Sequence, residues 1–183
     1  SLLSTKNAES VQQIICVCIE ACQAGPVLDE ILPFFRAFTD KNKKKPPKGQ
    51  LNKHIASFYS LITCLLNEFG PKKIDPKLYL NEITSPALFQ ITVKEIKDAG
   101  YNCFCELFAW MKSVDFFIDK LPGPQQAELR KRCETGEPPV RAPKRLYRVE
   151  RQTGAAHASG DIPMETNQQQ VETFDPYEFA QPE

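Results

Sequence analysis

The chain has 183 residues, and its 23 Lys and Arg balance its 23 Asp and Glu, so the formal net charge is zero. This length allows one medium domain and a tail. Every Lys and Arg lies at or before Arg151, which leaves an acidic tail behind a basic body and favours an acidic partner. No apolar run approaches the roughly 18 residues that a membrane span needs, so we predict no membrane segment.

The first helix is predicted from about Ala8 to Ala24, where Val11, Ile15 and other apolar residues form a stripe. Gly25 followed by Pro26 indicates that this helix ends and the next one begins. The chain opens without a methionine or a targeting pattern, so we expect a piece of a longer protein.

A two-helix unit then occurs twice. In each copy an apolar helix carries a proline near its end, a polar loop follows, and a second apolar helix comes next. Because the proline recurs before the loop, we expect a kink in both first helices. Repeated pairs of this kind are typical of an all-α, HEAT-repeat α-solenoid. The copies comprise Ile31–Asp40 with Pro33 and His54–Phe69, then Ile83–Phe89 with Pro86 and Ile96–Met111.

Two shorter helices are predicted to close the stack. Ser113 and Asp115 form an N-cap signal, and Gly123-Pro124 begins a final helix that runs to about Thr135. We therefore assign residues 1–135 to a partial HEAT-repeat domain that lacks its earlier repeats, and residues 136–183 to a flexible linker.

The composition of the linker changes along its length, so we expect its parts to differ in order and packing. Thr153 to Gln170 is nearly free of large apolar residues and is predicted to be disordered. Leu146 and Tyr147 are expected to pack back on the last helix, and Phe174 to Phe179 offers three aromatic rings to a following domain.

Seven cysteines raise the question of disulfides or a metal site. Cys16 and Cys18 are two positions apart on one helix, as are Cys103 and Cys105, so neither pair can hold one metal ion. The odd count and the absence of a CxxC pair favour buried, reduced cysteines and no metal or other cofactor. The aromatic sets Phe34, Phe35, Phe38 and Phe104, Phe108 are predicted to be core.

Particular motifs resemble a known family, the TOG domains of microtubule polymerases. Cys64–Gly70, Ile96–Ala99 and Glu106–Trp110 resemble the second half of the first TOG domain in such proteins. Arg141–Arg148 and Phe174–Phe179 match, in kind and order, the segment that joins the first TOG domain to the second.

The resemblance implies a paddle that binds an αβ-tubulin heterodimer along the edge formed by the loops within each repeat. Those loops are Thr39 to Lys53 and about Gln90 to Lys97. The family places a basic residue at the start of each second helix, and here these positions are Lys53 and Lys97, with lysine where arginine is usual in the second case. The implied tubulin contacts are Lys53, Lys97, Lys94, Lys43, Lys44 and Lys45.

The run Lys43 to Lys45 leaves alternatives open. It clamps an acidic protein surface, or it is a solvated insertion. Nucleic acid is a third partner that lysines attract, but no aromatic residue interleaves them to stack on bases, and we predict no nucleic-acid partner.

The function that follows is tubulin binding by a monomeric fragment of a microtubule polymerase, in the cytoplasm at microtubules, spindle and centrosome. The alternative is a HEAT-repeat adaptor that binds another acidic protein, more often through a concave helical face. No phosphate loop, nucleophile elbow or paired catalytic carboxylate is present in the sequence, so we do not expect an enzyme.

Overall fold

A computed structural model describes residues 5–39, 47–113, 115–133 and 141–151. Over these ranges the chain is helical and contains no strand, which confirms the all-α, HEAT-like fold. The helices are α1 (Thr5–Cys22), α2 (Ala24–Thr39), α3 (Lys48–Phe69), α4 (Leu80–Ile83), α5 (Lys94–Met111), α6 (Asp115–Ile118) and α7 (Gly123–Cys133), and a 3₁₀ turn covers Pro76–Leu78.

The break between α1 and α2 falls slightly earlier than the sequence predicts. Gln23 is the single residue between the two helices, and its φ of 68° is left-handed. Its amide donates to the Ile19 carbonyl over 2.9 Å, which closes the last turn of α1. Gly25 and Pro26 then lie in the first turn of α2, where the missing amide of proline costs no helical hydrogen bond.

The two prolines of the repeated unit have different environments. Pro33 lies inside α2 as predicted and is exposed, so water can reach the carbonyl that loses its helical donor. Pro86 lies in the turn between α4 and α5, so the predicted kinked helix at Ile83–Phe89 is wrong. Pro86 disfavours helical backbone at Ser85, and the Ser85 hydroxyl instead accepts a hydrogen bond from the Ala87 amide at 3.4 Å.

Helices α3 and α5 pack in parallel and in register. The rings of Tyr59 and Phe104 meet near their middles with centroids 6.3 Å apart. Near their ends, Gly70 lies so close to Trp110 that an added Cβ would fall 2.9 Å from the ring. A residue further along α3 thus contacts a residue further along α5. The two helices therefore run in the same direction and begin at the same end of the molecule.

Helix α2 runs antiparallel to α3. The Phe35 ring stacks on Phe58 at 4.1 Å, and further along α2 the Phe38 ring lies 6.1 Å from His54, earlier on α3. The chain therefore reverses direction within each unit. Helices α2 and α4 form one layer, and the longer second helices α3 and α5 form the other. A 2.5 Å ion pair between Arg36 and Glu82 joins the first layer.

Aromatic rings fill the space between the layers. Phe89 makes edge-to-face contacts with Tyr101 and Phe104, with centroids 5.2 and 5.0 Å apart. The Tyr59 hydroxyl donates to the Ile83 carbonyl over 2.7 Å. These buried contacts fix the start of α5 relative to α3, and so position the loops at that end.

Candidate functional site

The loop edge is the end of the molecule where α3 and α5 begin, together with the loop of residues 84–93. Lys53 is the sixth residue of α3, and Lys97 is the fourth residue of α5. Because these helices are parallel and in register, Lys53 and Lys97 lie at the same end of neighbouring helices. Lys94, the first residue of α5, is at this edge too.

The lysines at the loop edge differ in their surroundings. Lys53 and Lys94 are exposed, whereas Lys97 is half-buried. The pKa of Glu128 on α7 is lowered, chiefly by its hydrogen bond from Arg132, and the positive charge of Lys97 contributes. Lys97 therefore lies near Glu128 of α7, whereas Lys53 is the more exposed of these two lysines.

The first of the two predicted loops is shorter than the sequence indicates. Helix α3 begins at Lys48, so Lys53 lies on a helical turn and not at the end of a loop. A helical backbone restricts where the lysine side chain can reach. Lys43, Lys44 and Lys45 lie outside the described residues.

Helix α1 runs parallel to α3 and α5 and takes the place of the second helix of one more unit. The sequence analysis, which found two units, did not predict this. Glu20, near the end of α1, and Glu68, near the end of α3, both bond to the guanidinium of Arg145. The two helices therefore end at the same edge of the molecule, so α1 begins at the loop edge. One feature of the sequence could have predicted it. A proline follows soon after the end of α1, as it does after the second helix of a unit.

The edge opposite the loop edge carries a feature that the composition does not predict. Residues 141–151, hereafter the strap, cross the ends of three second helices. Arg141 pairs with Glu106 of α5 at 2.9 Å, and Arg145 reaches Glu68 of α3 at 2.6 Å and Glu20 of α1 at 2.8 Å. One glutamate per helix therefore meets an arginine of the strap.

Backbone hydrogen bonds and an aromatic contact also hold the strap against the helices. The amides of Lys144 and Arg145 both donate to the Glu68 carbonyl over 2.8 Å, in the last turn of α3. Tyr147 stacks near Phe69 with centroids 6.3 Å apart, and its hydroxyl donates to the Lys73 carbonyl over 2.9 Å. Cationic side chains at the end of α3 also complement the helix dipole.

The prediction that Tyr147 packs on the last helix is therefore wrong, because Tyr147 packs on the end of α3. Leu146 is 45% exposed. The boundary between the domain and the linker stays a prediction. Thr153 to Gln170 and Phe174 to Phe179 lie outside the described residues.

An apolar groove of about 390 Å³ runs among α1, α2 and α3. Phe34 lines it and is 71% exposed, so the prediction that Phe34 is core is wrong, whereas Phe104 is buried. Phe34 faces outward because α2 buries Leu28 and Leu32 on its other side. Among the described residues, no lysine lines the groove.

All seven cysteines are free in the structure, and the prediction that they are buried is wrong for some of them. Cys16, Cys103 and Cys133 are buried, whereas Cys18 and Cys22 are exposed on α1. In the part of the chain that the structure describes, no three His, Cys, Asp or Glu side chains form a cluster that could hold a metal ion. Over the same residues, no helix is both long and apolar enough to cross a membrane.

Comparison with known proteins gives one match. A family model described as XMAP215/Dis1/CLASP, TOG domain, matches residues 2–133. No curated protein and no solved structure matches the chain. The matched range covers α1 to α7 and ends before the strap.

Proposed function

This chain belongs to the XMAP215/Dis1/CLASP family of TOG domains, which are tubulin-binding and microtubule-associated, and from that premise we propose that its loop edge binds the αβ-tubulin heterodimer. Lys53, Lys97 and Lys94 supply the contacts, and the lysines at 43, 44 and 45 extend them. The parent protein is a microtubule polymerase of the cytoplasm that promotes growth at plus ends and acts at the spindle and centrosome.

The observation that carries this proposal is the parallel register of α3 and α5. It brings Lys53 and Lys97 to one end of the molecule, although 44 positions (97 − 53) separate them in the sequence. Two cations on adjacent rigid helices present a fixed spacing to an acidic surface, which favours orientation as well as attraction. A single lysine on a mobile loop provides attraction only.

The mechanism is binding and delivery, with no chemical step. The lysines accelerate encounter with the acidic dimer, and the packed helices fix its orientation. Several such domains on one chain raise the local concentration of tubulin near a growing end. One monomeric chain of this kind holds one dimer, and neither a cofactor nor a nucleic acid takes part.

Gel filtration with unpolymerised tubulin tests the proposal. The complete domain, which includes any preceding repeats, should elute together with the dimer. Lys53→Glu combined with Lys97→Glu should weaken binding about tenfold or more, because each contact contributes roughly 1 kcal/mol at a wet edge and up to about 3 kcal/mol when desolvated.

Lys112→Glu is the matched control. It reverses the same charge on α5, but at the C-cap, the end away from Lys97. Binding should persist in this variant. Unchanged affinity in the double variant, or an equal loss with Lys112→Glu, would reject the loop edge as the binding surface. A shallower salt dependence in the double variant would support direct charge contacts.

A further inference from the structure

The ends of α1 and α3 carry charges opposite to those that helix ends favour. The last turn of a helix has a partial negative charge, which basic side chains complement. Neither helix has a basic residue in its last turn, and each has a glutamate there, Glu20 in α1 and Glu68 in α3. Glu106 lies near the end of α5. Glu20, Glu68 and Glu106, hereafter the acidic row, therefore form a surface that favours a cationic ligand.

The strap binds the acidic row through an ordered pattern of groups. Arg141 pairs with Glu106, and Arg145, four positions later, pairs with the other two members of the row. The amides of Lys144 and Arg145 donate to a carbonyl in the last turn of α3. Tyr147 donates its hydroxyl to a backbone carbonyl just after α3. Side chains at fixed spacing and the backbone both take part, as in the recognition of a peptide ligand.

The acidic row and the strap differ in how firmly the fold holds them. The three carboxylate side chains are 9–19% exposed and lie on packed helices. Every residue of the strap is at least partly exposed, and the exposed fractions of Leu146 and Val149 are 45% and 63%. A segment with few buried contacts opens locally far more readily than packed helices do. The surface therefore persists when the strap leaves it.

We propose that the acidic row is a binding site for a basic peptide segment of another protein, and that the strap occupies this site in cis as a competing ligand. The partner segment carries two arginines four positions apart and an aromatic residue two positions further, as the strap does. Seven positions, 134–140, separate the strap from α7, so its local concentration at the row is on the order of millimolar. The site lies opposite the loop edge, so it does not depend on the proposed binding of tubulin.

Fluorescence anisotropy with a labelled synthetic peptide of residues 141–151 tests the proposal on the 183-residue chain. The wild-type chain should bind the peptide weakly, because its own strap occupies the row. Arg145→Met should bind it about 5 to 30 times more tightly, because the loosened strap frees the site by that factor. Adding Glu68→Gln to this variant should abolish the gain. Glu95→Gln, in the first turn of α5 at the loop edge, is the matched control and should retain it.

Hydrogen exchange separates displacement of the strap from binding elsewhere on the molecule. An excess of unlabelled peptide should accelerate exchange of the Lys144 amide in the wild-type chain, because this amide is protected by its bond to the Glu68 carbonyl. A peptide of the same composition in shuffled order keeps the net charge but loses the spacing. It should neither bind tightly to the Arg145→Met chain nor release the strap.

Three outcomes would overturn the proposal. The first is an Arg145→Met chain that binds the 141–151 peptide no better than the wild-type chain does. The second is equal binding of the shuffled peptide, which would show attraction between charges without a defined site. The third is a dimer of the wild-type chain in gel filtration that Arg145→Met dissociates, which would make a second copy of the chain the occupant of the row.

Discussion

The Nε atom of Arg145 donates a hydrogen bond to Oε2 of Glu68 over 2.6 Å, although 77 positions separate the two residues in the chain. The same guanidinium bonds to Glu20 on α1. One side chain of the strap thus holds the ends of two parallel helices together. It also compensates two carboxylates that would otherwise face each other at close range.

Arg145→Met should loosen the strap. The variant keeps an apolar stem but loses the charged hydrogen bonds to Glu68 and Glu20, a loss of about 1–2 kcal/mol for partly exposed groups. Exchange of the amides at positions 144 and 145, which bond to the Glu68 carbonyl, should become about 5 to 30 times faster. Arg148→Met, at an exposed strap position, is the control and should leave these amides protected.

Acid should release the strap. The hydrogen bond from Arg145 lowers the pKa of Glu20, and the hydrogen bond from Lys73 lowers the pKa of Glu150, both from an ordinary 4.5. A carboxyl whose pKa is lower in the folded state stabilises that state above its ordinary pKa. This stabilisation is lost as the pH falls below 4.5 through the folded value.

Amide chemical shifts of the strap, followed from pH 7 to pH 2, would report this release. Glu20→Gln should remove part of the dependence on pH, since an amide does not titrate. A release centred between pH 6 and pH 8 would contradict the assignment to these carboxylates.

Two buried tyrosines should respond differently to loss of their hydroxyl groups. Tyr59 donates to the Ile83 carbonyl, whereas the Tyr79 hydroxyl has no hydrogen-bond partner among the described residues. Tyr59→Phe should cost about 1–2 kcal/mol of unfolding free energy. Tyr79→Phe should be neutral or stabilise by up to about 1 kcal/mol, because it removes an uncompensated buried polar group. Equal losses in urea unfolding would show that this difference is wrong.

Gly100→Ala should destabilise the domain. An added Cβ would fall 2.4 Å from the ring of Phe89, which is itself buried. Overpacking costs about 1–3 kcal/mol, and the better helix propensity of alanine returns about 1 kcal/mol, so we expect a net loss of up to about 2 kcal/mol. Gly123→Ala, with nothing within 4 Å of its added Cβ, should change the melting temperature little.

The sequence predicted the helices whose apolar spacing is long and regular. Helix α5 was predicted from Ile96 to Met111 and begins two residues earlier, and the start of the final helix at Gly123 was predicted correctly. Local signals suffice there because a helical period over many residues decides both structure and buried face. The family resemblance likewise depended on short motifs, and the family match confirms it.

Proline shows where local signals failed. Pro33 and Pro86 occupy similar places in the sequence pattern, but only Pro33 lies within a helix. Helix α2 has enough buried contacts on either side of the proline to continue through it, whereas α4 is four residues long and ends before Ser85. Packing against neighbouring helices, and not the residue itself, decides whether a proline interrupts a helix.

By itself, the sequence determined an all-α repeat fold, because helical periodicity and helix boundaries are local properties of the chain. The choice of Lys53 and Lys97 as contacts came from the family resemblance and stays a prediction. Tertiary structure alone decided that α1, α3 and α5 share one direction and that Arg145 returns to Glu68. Such contacts depend on register between segments far apart in the chain. Composition cannot encode that register, since the strap is held by carboxylates and backbone carbonyls that only the folded helices align.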